Sequence, residues 1–128
     1  MEETVLLEAH VQLKRIYTAL NECVDLTRQL ADAVDRRDEV AMQLLVSMRE
    51  EPVGKLRRGR NALEHQRDAL SPEEGRQLAA LLNGEGARTD AEIPLAQQVD
   101  RNARLLRQLQ ELDKAVSLKM NRDKSIYQ

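Results

Sequence analysis

One stripe near the C-terminus of the chain limits it to a single kind of fold. Between Pro94 and Asp123, apolar residues recur at Leu95, Val99, Leu106, Leu109, Val116 and Met120, and Asn102 and Asp113 fall on the same row. The steps alternate between three and four residues, the period of a helix laid along other helices. A second row at Leu105, Leu112 and Ala115 widens the stripe. Only further long helices can cover a run of that length.

The first cover is the N-terminal segment from about Glu3 to Val34. Leu6, Leu13, Leu20, Thr27 and Val34 lie seven apart, and Ala9, Ile16, Cys23 and Leu30 follow the first four of them by three. Tyr17, Val24 and Ala31 flank this seam, which suits a bundle better than a two-stranded coil. No Gly or Pro interrupts the segment. A helix of ~30 residues is ~45 Å long, so the molecule is expected to be elongated.

The second cover begins after the charged break Asp35-Arg36-Arg37-Asp38. Asp38 suits the N-cap of a helix, and Glu39 suits its positive end. Val40, Ala41, Leu44, Leu45 and Met48 are expected on its inner face. Proline removes a backbone donor and clashes with the preceding turn, so Pro52 must kink or stop this helix. The period resumes at Leu56, Leu63 and Leu70 with no polar loop between, which predicts one long helix kinked near Pro52. Gly54 and Gly59 each weaken it by about 1 kcal/mol relative to Ala, making this its most mobile part.

Ser71-Pro72-Glu73-Glu74 is the sharpest local signal: an N-cap serine, a proline at the first helical position and a glutamate three residues after the cap. It opens a short helix with Leu78, Leu81 and Leu82 as its apolar face, and Asn83-Gly84 ends it. Residues 84–93 form a polar loop expected to be flexible. Pro94 then starts the last helix, with Thr89 and Glu92 offering an earlier cap. The tail 124–128 either frays or prolongs that helix, since Tyr127 lies seven after Met120.

Composition agrees with this pattern. The 128 residues suffice for one domain, 1–128, and contain no Phe or Trp and two Tyr. A sandwich or α/β core normally uses aromatics and runs of Val and Ile, whereas a thin bundle fills with Leu, Ala, Val and Met. The expected fold is all-α: an elongated antiparallel bundle of three long helices, the second kinked, plus one short helix.

Few residues suggest chemistry. Net charge is −2 with both signs interspersed, which argues against a dedicated nucleic-acid binder. The single cysteine excludes an internal disulfide framework and suits a reducing, cytoplasmic setting. No apolar run has the ~18–20 residues of a membrane span, and the first ten residues carry acids where a signal peptide has bases. His10 and His65 stand alone; His65 has only Asp68 at helical spacing, which reads as a charged surface. Cys23, on the first seam, reads as a small hydrophobe. Gly54 to Arg60 lacks the spacing and the hydroxyl of a phosphate-binding loop. No catalytic residue, metal or cofactor is expected. The basic cluster Lys55, Arg57, Arg58 and Arg60 can grip phosphates or an acidic partner, but it has no aromatic residues for base stacking and follows Glu50 and Glu51.

In layout the chain resembles the FlgN-type flagellar export chaperones. The resemblance rests on its size, a long first helix on leucine heptads, the Asp35-Arg36-Arg37-Asp38-Glu39 break, a short helical linker, and a last helix carrying Asn102, then Leu105-Leu106, then a terminal Tyr127. Pro52 and the Ser71 to Glu74 start have no counterpart in it. It implies a cytoplasmic chaperone that holds hook-filament junction proteins unpolymerised by binding their amphipathic C-terminal helices. Carried over, the partner-binding residues would be Leu105, Leu106, Leu109, Leu112, Val116 and Met120. Two other readings remain open: a structural homodimer of paired seams, and a regulator engaging a nucleic-acid or transcription partner through the basic cluster.

Overall fold

The heptad row of the first segment folds as one uninterrupted helix, α1 (Glu3–Asp35). The computed structural model describes the backbone of residues 1–126 and the side chains of residues 1–122, so the expectation for Tyr127 lies outside the described residues. Five further elements follow in order: α2 (Glu39–Met48), α3 (Glu50–Ala69), α4 (Pro72–Leu82), a 3-10 turn (Asp90–Glu92) and α5 (Ile93–Ile126). There is no strand among the described residues. The course is up-down-up. Gln66 near the end of α3 donates to the Val5 carbonyl near the start of α1, and Lys119 near the end of α5 pairs with Asp35 at the end of α1.

The turns form where the sequence predicts them. Arg37 takes a left-handed conformation (φ 57°), with its N–H bonded to the Val34 carbonyl and that of Asp38 to the Ala33 carbonyl. The same pair of bonds recurs at Gly84 (φ 86°), from Gly84 to Leu81 and from Glu85 to Ala80. Both satisfy carbonyls that a helix end would otherwise leave open. Asp38 caps α2 by accepting from the Ala41 N–H at 3.1 Å, and Ser71 caps α4 by accepting from Glu74 at 3.3 Å.

The kink expected near Pro52 forms, and the structure fixes its place and that of one other boundary. The second long helix breaks at Arg49, three residues before Pro52. A proline acts on the carbonyl four residues earlier, here that of Met48, so the interruption falls one turn upstream. Pro52 itself sits in the first turn of α3, where a missing N–H costs nothing. The loop before α5 is also not wholly irregular. Asp90 to Glu92 form their own turn, and the buried Glu92 carboxylate accepts from the Arg88 N–H.

The core runs along α1 as three clusters. Leu6, Ala9 and Leu13 pack with Leu63, Leu78, Leu81, Leu95 and Val99 at one end. Leu20, Cys23 and Val24 pack with Leu109 in the middle. Leu30, Ala33 and Val34 pack with Leu45 and Val116 at the other end. Each fully buried leucine contributes roughly 1.5–3 kcal/mol. Gly59, expected to be a weak point, lies where α3 approaches α1 closely: a Cβ there would lie 2.5 Å from Ile16 Cγ1.

Both polar residues on the last stripe have partners. Asn102 is buried; its amide donates to the Leu13 carbonyl at 2.9 Å and its oxygen accepts from Gln98 at 2.9 Å. A one-turn slip of α5 would take the buried Asn102 amide away from the Leu13 carbonyl, so Asn102 fixes the register of α5 on α1. Asp113 accepts from Arg49 at 2.7 Å and ties α5 to the bend between α2 and α3.

Candidate helix-binding groove

Because α1 lies in the centre, α3 and α5 both pack against it and their backbones stay apart from each other. Among the described residues no Cα of α3 comes within 8 Å of one of α5. At one end the gap is filled by α4, which contacts both helices and buries Leu78 and Leu81 there. With only 11 residues it ends early. Beyond it the gap continues as an open groove of about 630 Å³.

The groove has a regular lining. Its floor is Leu13, Ile16 and Leu20 of α1; its walls are Leu56 and Leu63 of α3 and Val99, Asn102, Ala103 and Leu106 of α5. Ala79, Leu82 and Asn83 of α4 close one end, and the Arg49–Asp113 ion pair ties the bend to α5 further along. Leu13 and Leu20, Leu56 and Leu63, and Val99 and Leu106 are each seven residues apart. Leu13, Leu20, Leu63 and Val99 are buried at the base of the groove, 8% exposed or less, and the apolar surface left accessible is that of Ile16, Leu56, Ala103 and Leu106. Leu106 is 42% exposed, although it lies on the row expected to be buried.

The residues nominated from the sequence separate into three groups. Leu109 and Val116 are core, 7% and 3% exposed, and cannot touch a partner while the bundle is intact. Leu105 and Leu112 are half-buried against the middle cluster, and Met120 against the far one. The inner row is core as expected except at Leu106, which is left open, and the outer row is partly covered at Leu105 and Leu112. The cause is local, since α4 stops short and no helix covers that side of α5 at Leu106. Leu13, Ile16, Leu20, Leu56, Leu63, Val99 and Ala103 belong to the groove but were not nominated. Their heptad spacing was visible in the sequence, but nothing there told which pairs stay uncovered.

The basic cluster does not form one patch. Lys55 and Arg58 line a shallow recess against α1, where Lys55 meets Glu22 at 3.6 Å and Glu51 at 3.9 Å. Arg60 lines the groove instead and pairs with Glu64 at 3.5 Å. A second apolar face lies on α2, where Val40, Leu44 and Met48 recur every four residues and are 79%, 60% and 49% exposed. The inner face expected of α2 is thus largely outward, and only Leu45 of it is buried. No helix among the described residues is long and apolar enough to cross a membrane, and no group of three His, Cys, Asp or Glu among them could hold a metal ion.

Two titratable groups are shifted by their surroundings. Burial pushes the Cys23 thiol up, with Arg49 opposing and Asp113 and Glu22 adding to the rise, so it is a poor nucleophile. Burial pushes His10 down from its ordinary 6.5, and Lys14 and Arg101 add to this.

The arrangement defines an all-α bundle whose fourth helix position is filled at one end and open along the rest. No known family model, no curated protein and no solved structure matches the chain.

Proposed function

We propose that the protein is a helix-binding protein, receiving one amphipathic helix of a partner in the groove between α3 and α5. The observation that carries this reading is the open groove beyond α4, where Ile16, Leu56, Ala103 and Leu106 leave apolar surface accessible above a buried base. An apolar groove between helices takes the apolar face of another helix. It acts by binding and not by catalysis.

The resemblance to FlgN-type chaperones supports a finer reading: the partner is a hook-filament junction protein, and its C-terminal helix is held in the cytoplasm until export. Occupying that helix would block its self-association. The test is a titration of labelled C-terminal peptides from junction proteins, with Leu106→Glu and Leu44→Glu as variants. Binding at about tens of micromolar or tighter that is lost in Leu106→Glu and kept in Leu44→Glu is expected. No binding in that range sinks the chaperone reading, and loss only in Leu44→Glu moves the site to α2.

The exposed row on α2 favours one rival, a homodimer joined through Val40, Leu44 and Met48. Sedimentation over a range of concentrations separates the two, since a dimer that dissociates on Leu44→Glu would assign that face to self-association.

A further inference from the structure

The groove's two lips are unlike in charge. On the α3 lip Arg60 and Arg67 line the groove seven residues apart, and Glu64 lies between them. Arg57, exposed and one turn before Arg60, falls on the same edge of the helix. On the α5 lip the lining residues Ala103 and Leu106 are uncharged. Arg60 pairs with Glu64 at 3.5 Å and Arg67 with the exposed Asp68 at 3.3 Å, so with Arg57 this lip of a chain of net charge −2 keeps a basic surplus of one. Arg60 and Arg67 repeat at the same two-turn interval as the apolar pairs Leu56–Leu63 and Val99–Leu106. In helices packed on heptads, charges beside the seam select the partner and its direction.

We infer that the groove takes a helix with an acidic edge: leucine-like residues on a heptad stripe, and acids seven residues apart on the side that runs beside α3, with no acid between them. This rests on the helix-binding reading and names the partner's chemistry. Two acids at that interval meet Arg60 and Arg67 together, and a basic or neutral residue between them meets Glu64. The α3 lip excludes the opposite pattern, because lysines at those places would face two or three guanidinium groups. On the other lip the exposed Asp100 and Arg107, one turn either side of Ala103, have opposite signs, so the α3 edge sets the direction of the partner helix.

The test uses three fluorescent 21-residue peptides with one identical apolar stripe, whose edge positions seven apart are all Glu, all Gln or all Lys. Anisotropy titrations at low salt are expected to rank them Glu, Gln, Lys, with about tenfold between the first and last, shrinking as salt is raised. The double variant Arg60→Glu with Arg67→Glu is expected to reverse the ranking. Arg60→Gln with Arg67→Gln is expected to flatten it, and circular dichroism checks that both variants stay folded. Equal binding of all three peptides, or a preference for Lys in the unaltered chain, overturns the acidic-edge inference and leaves the helix-binding reading standing. Failure of all three to bind overturns both.

Discussion

The two ends of one slot differ in a single respect. Over α4 the gap between α3 and α5 is filled, and Leu78 and Leu81 are 0% and 3% exposed. Just beyond, Leu13, Leu20, Leu63 and Val99 stay buried at the base of the gap, yet Leu106 on its rim is 42% exposed. The difference comes from the length of α4 and not from the walls. The filled end serves stability, and the open end has apolar surface to offer a partner without unfolding anything.

That contrast is broken most directly by paired truncations. Leu78→Ala removes a fully buried side chain from the filled end and is expected to cost about 2–5 kcal/mol. Leu106→Ala at the open end is expected to stay within about 0.5 kcal/mol, because little is withdrawn from the core. Urea denaturation of the two variants checks this. Equal losses would mean that the groove is closed in solution.

Next in size are the two contacts that hold the walls apart on α1. Gly59→Ala places a Cβ 2.5 Å from Ile16 Cγ1, so Ile16 or the helix must move. The expected loss is about 1–3 kcal/mol, although alanine is the better helix former. Asn102→Ala leaves the Gln98 amide without its acceptor and takes a donor from the Leu13 carbonyl inside the core. It is expected to cost about 1–3 kcal/mol in the same denaturation experiment. Both variants shift the walls, so they should weaken helix binding more than Leu44→Ala does. A smaller loss, about 1 kcal/mol or less, is expected for Asp113→Ala, since the Arg49 pair is partly exposed.

Most of the fold was legible because local and global signals agree. The α1 heptads, the Asp38 and Ser71 caps and the Gly84 stop all describe short-range chemistry, and each holds in three dimensions. The bend was displaced from Pro52 to Arg49 because the proline's effect falls on the carbonyl one turn upstream. The groove was only half legible. The sequence shows which residues are apolar and in what period, but exposure depends on where neighbouring helices end. Leu106 and Leu105 sit side by side in the sequence; the first faces the gap past α4 and the second packs on α1. Similarly, Arg57, Arg58 and Arg60 read as one basic patch, whereas the helical turn sends Arg58 toward α1 and Arg60 toward the groove.

The smallest expected effect distinguishes the two ends by pH. His10 belongs to the filled end, in a recess with Glu3, Leu6, Leu7 and the start of α5. Burial, then Lys14 on its own helix and Arg101 on α5, lower its folded pKa below the ordinary 6.5. The unfolded chain therefore takes up a proton at a higher pH than the folded one. His10's contribution is present above the ordinary value and is lost as pH falls through the lowered one. Stability of the chain should therefore drop on acidification below 6.5 by more than in His10→Gln, and thermal melts across that range check it. Peptide binding at the groove, measured where both proteins remain folded, should respond identically to pH in the two, since His10 does not line it. A binding difference that tracks His10 would mean the filled and open ends are coupled through α1, and the slot would then act as one unit.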